Sequence, residues 1–221
     1  MSVESFSNSA FDPAVRGYLH RPDSPSGDAL ALTHGAGGNA QSGLLVAIAE
    51  AFAAAGIAVL RCDLPFRQVR RFGPPRPGDA TRDRKGLANA LAATKALFSG
   101  QIFLGGQSYG GRQASMLCAE EKVGDGLLLF SYPLHPPGKP EQLRTQHLPQ
   151  INVPVLFVHG SRDPFGSIDE IESARKLIPA ETLLMPVEGV GHDLGFKGKT
   201  KREDLSAEVH LKFRQLFGQR T

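Results

Sequence analysis

Gly106-Gln107-Ser108-Tyr109-Gly110 is the stretch whose reading decides the fold. It follows an apolar run, Gln101–Leu104, and precedes a helix-patterned segment, Gly111–Glu120. A G-x-S-x-G pattern between strand and helix is a nucleophile elbow, a turn so tight that the serine backbone is strained. Residues two before and two after the serine must then be nearly free of side chain. Gly106 and Gly110 meet that demand, and Gly105 and Gly111 add room. The bare pattern is weak, because glycine and serine are common in turns. Its position between strand and helix gives it weight.

A serine hydroxyl at its ordinary pKa needs an adjacent base to act as a nucleophile. On this architecture the partners follow in the chain order serine, acid, histidine. The strand-like run Val155–His159 leads into Gly160-Ser161-Arg162-Asp163, and Thr182–Val187 leads into Glu188-Gly189-Val190-Gly191-His192. The expected catalytic set is therefore Ser108, His192 to take its proton, and Asp163 to hold the imidazole in one tautomer. Singly, each has a blander reading: Asp163-Pro164 as a turn, His192 as a solvated loop histidine. Their order and their placement past strand ends carry the case.

Upstream, His34-Gly35-Ala36-Gly37-Gly38 directly follows the strand Ala29–Thr33 and has the form of an HG-type oxyanion loop. The backbone amides of Ala36 and Tyr109 are expected to face the developing negative charge, with His34 positioning the loop.

The rest of the chain alternates strand and helix. Further strands are expected at Val15–His20, Ile57–Cys62 and Gly126–Ser131. Several are continuous apolar runs, as strands covered on both faces should be. Helical stripes run through Leu44, Ile48, Phe52 and Ala55, through Leu87, Leu91 and Phe98, through Ile168, Ile171, Ala174 and Ile178, and through Leu205, Val209, Phe213 and Leu216. Ser167 with Glu170 and Thr200 with Glu203 read as capping boxes. The expected fold is α/β: one domain over residues 1–221 with a mostly parallel, doubly wound sheet, helices on both faces and no large lid. Two segments rich in proline interrupt the rhythm, Pro65–Lys85 and His135–Ile151. Both follow strands and should border the carboxyl edge of the sheet, where open α/β folds bind ligands.

Composition sets the outer limits. A net charge of +3 over 221 residues is too weak to argue for a nucleic-acid partner, and none is expected. Cys62 and Cys118 lie in apolar segments without zinc or redox spacing, so two buried free thiols and a reducing, cytoplasmic setting are expected. The polar stretch Met1–Pro13 lacks the pattern of a signal peptide, and Leu44–Leu60 is interrupted by Glu50 and Gly56, so no membrane partner is expected. No metal or cofactor is implied; the expected partner is a small-molecule substrate, and nothing indicates a protein partner. Gly198-Lys199-Thr200 ends like a P-loop, but its first glycine would fall on Asp193.

Gly35-Ala36-Gly37-Gly38-Asn39-Ala40 also fits the dinucleotide pattern G-x-G-x-x-G/A, with Asp63 as a ribose-binding acid. That leaves an oxidoreductase as an alternative. The segment after Ile57–Cys62 carries Arg67, Arg70, Arg71, Arg76, Arg82, Arg84 and Lys85. One or two of these, Arg70 and Arg71 foremost, are expected to hold an anionic substrate group, against the plainer reading of a solvated loop. Tyr132 and His135 are further candidates for substrate contact.

Leu32–Gly38, Gly105–Arg112, Tyr132–Pro140 and His159–Gly166 together resemble one α/β-hydrolase family. That family includes bacterial hydrolases, a testis-expressed hydrolase-like protein and a subunit of the NSL chromatin complex, with dienelactone hydrolases as broader relatives. The resemblance extends from near Ala29 onward, with Tyr132–Pro140 the most specific block. It implies a Ser108–Asp163–His192 triad and an esterase-like acyl transfer, but no particular substrate. Dienelactone hydrolases use cysteine where Ser108 stands, which argues against that activity. Kinship with the chromatin subunit leaves a second alternative, a non-catalytic interaction module on a hydrolase fold.

Overall fold

Each central strand divides its side chains between two helical layers. In a computed structural model, which describes residues 1–196 and 204–218, strand β3 (Ala29–Thr33) sends Ala29 and Ala31 to one face and Leu30 and Leu32 to the other. This is the two-residue period of a strand, here apolar on both sides. The leucine face packs under α1 (Gly43–Ala54) and α6 (Leu205–Phe217). The alanine face lies under α3 (Asp79–Leu97), α4 (Tyr109–Glu121) and α5 (Ile168–Arg175).

The strands are β1 (Ser2–Asn8), β2 (Val15–Arg21), β3, β4 (Ala58–Cys62), β5 (Ile102–Gln107), β6 (Gly126–Phe130), β7 (Val155–Gly160) and β8 (Thr182–Val187). They form one sheet in the order β1-β2-β4-β3-β5-β6-β7-β8. β2 is antiparallel to both β1 and β4; every other neighbouring pair is parallel. The doubly wound, mostly parallel sheet is thus the one expected. Phe52 of α1 and Phe213 of α6 meet edge to face at 4.9 Å, and Phe213 meets Phe103 of β5 at 4.7 Å. Such contacts add about 1 kcal/mol each beyond the area they bury.

Strand order fixes where a site can form. The chain leaves β3 for β4 on one side, then crosses over β3 to β5 and continues in the opposite direction. The carboxyl ends of β3 and β5 therefore flank a crevice at the point of reversal.

The structure departs from the sequence reading at two places. β1 has no apolar alternation and is largely exposed; it forms through backbone pairing with β2, helped by Arg21 Nε donating 2.8 Å to Glu4 Oε1. The segment Pro65–Lys85 is not one loop. It contains a short helix α2 (Pro65–Val69), and α3 begins at Asp79, so Arg82, Arg84 and Lys85 are helical. The α3 start was obscure because Gly78, its cap, has no side chain to signal it. The capping box of Ser167 and Glu170 is formed. The one read at Thr200 and Glu203 lies outside the described residues. Among the described residues, no helix is long and apolar enough to cross a membrane.

Candidate active site

Ser108 stands between β5 and α4 with φ 51° and ψ −117°, a conformation that L-residues rarely adopt. Its amide is fixed by donation to Phe130 O at 2.8 Å. The turn closes only because its flanks lack side chains. A Cβ on Gly106 would sit 2.7 Å from Gly110 C, and one on Gly110 would sit 2.4 Å from His34 O. The second contact ties the elbow to the loop after β3.

His192 reaches this serine from the loop after β8. Its Nε2 lies 2.8 Å from Ser108 Oγ, and its Nδ1 lies 2.7 Å from Asp163 Oδ2 and 3.0 Å from Oδ1. The Asp163 side chain is fully buried, whereas His192 keeps 26% of its side chain exposed. Asp163 Oδ1 also accepts the Phe165 amide at 2.9 Å. An acceptor carboxylate on Nδ1 leaves Nε2 with a lone pair facing Ser108, the tautomer a base requires. The Phe165 ring lies 4.2 Å from the imidazole, tilted by 32°, and restricts its rotation. The acid and base loops meet because Arg162 N–H donates to Val190 O at 2.9 Å across the ends of β7 and β8.

Behind Asp163 lies a second, fully buried histidine. His159 Nε2 donates to Gly166 O at 2.8 Å and stands 3.6 Å from Asp163 Oδ2. Burial lowers its pKa, outweighing the Asp163 carboxylate that pulls the other way. A neutral His159 therefore braces the turn that carries the acid.

The loop His34–Gly38 is held from two sides. The Leu64 amide donates to His34 Nε2 at 3.1 Å, which leaves the proton on Nδ1 to donate to Gly35 O at 2.8 Å. Burial keeps His34 neutral by lowering its pKa. Gly35 O also accepts Gly38 N–H at 3.0 Å. In a trans peptide the next amide points the opposite way, so these bonds turn Ala36 N–H away from His34. From the other side, Arg67, only 8% exposed, donates to Gly38 O, Ala36 O, Gly73 O and Arg70 O at 2.8 to 3.1 Å. Ala36 N–H and Tyr109 N–H have no hydrogen-bond partner among the described residues. The Tyr109 side chain points away, its hydroxyl donating to Asp83 Oδ2 at 2.8 Å. Burial raises the pKa of Asp83, and the amide of Phe66 also binds it, at 3.0 Å.

Ser108 and His192 open into a cavity of about 430 Å³, lined also by Ala36, Leu44, Phe165 and Phe196. Leu44, Phe165 and Phe196 were not read as site residues, because nothing in their local pattern separates a cavity wall from core. The four candidates for substrate contact are not among the lining residues. Tyr132 is 1% exposed, its ring against Phe157 and its hydroxyl donating to Arg144 O. His135 Nδ1 donates to Pro136 O at 2.8 Å, and its Nε2 faces Glu170 at 3.4 Å. The chain turns at Ser131, φ 47°, and buries Tyr132 and Leu134 in the core on the alanine face of the sheet. Arg70 pairs with Asp79 and Pro74 O, and Arg71 lies over the exposed Phe72 ring at 5.4 Å. The dinucleotide pattern is also differently used. α1 begins only at Gly43, and Asp63 Oδ1 accepts the Ala40 amide at 2.7 Å.

Residues 26–215 match the family described as the alpha/beta hydrolase domain, and the chain belongs to it. Solved structures of similar fold include an alpha-beta serine hydrolase homologue from Coxiella burnetii, at TM-score 0.75 and 18% identity over 96% of this chain and 98% of that one. A dienelactone hydrolase from Anabaena variabilis aligns at TM-score 0.73 and 19% identity over 98% and 97%. Est1E from Butyrivibrio proteoclasticus, also solved with ferulic acid bound, aligns at TM-score 0.73 and 16% identity over 99% and 100%. At such identities the likeness is one of fold.

Proposed function

We propose that this protein is a serine hydrolase that cleaves small esters through an acyl-enzyme on Ser108. The observation that carries the reading is the unbroken chain from Ser108 Oγ through His192 to Asp163, at 2.8 and 2.7 Å. Ser108 Oγ attacks the ester carbonyl carbon while its proton passes to His192 Nε2. The carbonyl oxygen, now negative, is received by the amides of Ala36 and Tyr109. Asp163 stabilises the imidazolium. Collapse breaks the bond to the alkoxy group, which leaves with the proton from His192. Water then attacks the acyl-enzyme, gives its proton to His192, and releases the acid as the proton returns to Ser108.

The apolar walls formed by Leu44, Phe165 and Phe196 favour a compact apolar or aryl acyl group over a long lipid chain. A cytoplasmic location fits the two buried free thiols, Cys62 and Cys118.

The test is labelling with a fluorophosphonate probe, in wild type and Ser108→Ala, followed by a panel of p-nitrophenyl esters of increasing acyl size. Labelling lost in the variant, with turnover favouring short or aryl acyl groups, is the expected result. Well-folded wild type that neither labels nor turns over any ester would overturn the reading. It would favour the interaction module that the resemblance to the chromatin subunit allows.

A further inference from the structure

Beside α4, three arginines gather around a network of two hydroxyls and an imidazole, Ser115, Tyr132 and His147. Ser115 Oγ donates to Arg112 O at 2.9 Å and lies 2.8 Å from His147 Nε2. The Tyr132 hydroxyl lies 3.4 Å from the same nitrogen and donates to Arg144 O at 3.0 Å. His147 thereby staples the Arg112 turn of α4 to the Arg144 segment of the loop after β6. Arg84 of α3 reaches α4 through Gln113 Oε1 and Glu120 Oε2, both at 3.0 Å.

The charges in this cluster do not balance. Glu120 pairs with Arg84 and is half exposed. Arg144 spends Nη1 on Pro133 O at 3.2 Å, a neutral acceptor. The Arg112 side chain has no hydrogen bond or ion pair among the described residues, and its Nε is buried without a partner. Gln113, fully buried, likewise keeps Nε2 unpartnered. A buried guanidinium nitrogen left without an acceptor is costly. The neighbours register the excess. Burial and then the Arg112 charge hold Arg144 below its usual range, and burial with Arg112 and Arg84 pushes His147 down to about 4. His147 is therefore a neutral group among cations at pH 7.

We propose that Arg84, Arg112 and Arg144 form a binding site for a phosphate group, separate from the Ser108 cavity. Three guanidiniums against one carboxylate leave two positive charges. A phosphate monoester carries about −1.5 to −2 at neutral pH and matches that excess better than a single carboxylate does. Guanidinium forks bind phosphate oxygens in pairs, and Arg112 has its whole fork free for this. Arg84, Arg112, Arg144 and His147 are each partly exposed, so the site opens to solvent. The ligand is inorganic phosphate or the phosphate of a small organic monoester. None of the three arginines lines the Ser108 cavity, and the proposal does not depend on chemistry at Ser108.

Isothermal titration of the intact protein with inorganic phosphate, glycerol phosphate and acetate at matched ionic strength tests this. Saturable phosphate binding with a Kd below roughly 1 mM is expected, and acetate should bind at least about tenfold more weakly. Tighter binding of glycerol phosphate would identify an organic monoester as the ligand; equal binding would identify free phosphate. Arg112→Gln should weaken binding by about tenfold or more, and Ser108→Ala should leave it unchanged. The wild-type titration stands whether or not Arg112→Gln folds. No saturable heat in wild type up to roughly 10 mM phosphate overturns the proposal. So does unaltered binding by a folded Arg112→Gln, or loss of binding in Ser108→Ala.

Discussion

Arg67 Nη2 donates to the carbonyl of Ala36 at 2.9 Å, so a buried cation grips the loop that lines the cavity beside Ser108. The same guanidinium holds Gly38 O at 2.8 Å from Nε. One arginine of the basic segment thus has its donors committed to backbone carbonyls.

Arg67→Met should therefore impair the chemical step more than substrate binding. Without the grip on Ala36 O and Gly38 O the amides lose their alignment, and kcat for a small ester should fall about tenfold to a hundredfold with little change in KM. Unpairing several carbonyls from a charged donor should also lower stability by about 2 to 3 kcal/mol. Steady-state kinetics and urea unfolding check both. An unchanged kcat would remove Arg67 from the positioning of the loop.

Asp163→Asn should preserve the fold and remove most of the reactivity. The amide nitrogen favours the wrong tautomer of His192 and leaves Ser108 Oγ facing an N–H instead of a lone pair. By analogy with other serine triads, the rate should drop roughly 10⁴-fold. The second-order rate of fluorophosphonate labelling is the measurement. A drop of less than about tenfold would mean that Asp163 does not set the His192 tautomer.

Replacing Arg70 and Arg71 together by alanine should leave KM within about twofold for both neutral and anionic esters. Neither lines the cavity; Arg70 is tied to Asp79 and Arg71 lies against exposed Phe72. A selective rise in KM for anionic esters would return these arginines to the site.

Stability should peak between about pH 6.5 and 9 and decline on both sides. Burial lowers His20 and His147 to about 4, and it lowers His34 and His159 as well. As pH falls below the unfolded value of 6.5, the unfolded chain takes up protons that the folded chain refuses, and stability is lost progressively toward pH 4. Burial raises Cys62 and Cys118 from 9.0 to about 12, so above 9 the unfolded thiols ionise first and stability again declines. Chemical denaturation across this range, with thiol titration by a disulfide reagent, measures it. Both cysteines should be unreactive at pH 8 until the protein unfolds.

The elbow, the strand runs and the order of serine, acid and histidine were legible because each is written in adjacent residues. Gly106 and Gly110 flank Ser108, and Asp163 and His192 follow apolar runs at short, countable distances. β1 was hidden because its pairing with β2 uses backbone groups and leaves its side chains in solvent. The α3 start was hidden because a glycine cap sends no side-chain signal.

The sequence by itself determined a two-faced parallel sheet and the chain positions at which Ser108, Asp163 and His192 stand. Only the tertiary structure decided what the remaining polar residues do. Arg67, Arg70 and Arg71 are equivalent as letters in one basic segment, yet one clamps Ala36 O, one pairs with Asp79, and one stacks on an exposed ring. Tyr132 and His135 follow a strand at the ligand-binding edge, yet the turn at Ser131 folds Tyr132 into the core. Hydrogen-bond acceptors are mostly backbone carbonyls, whose directions depend on how distant segments pack. No local pattern in the side chains records where those carbonyls point.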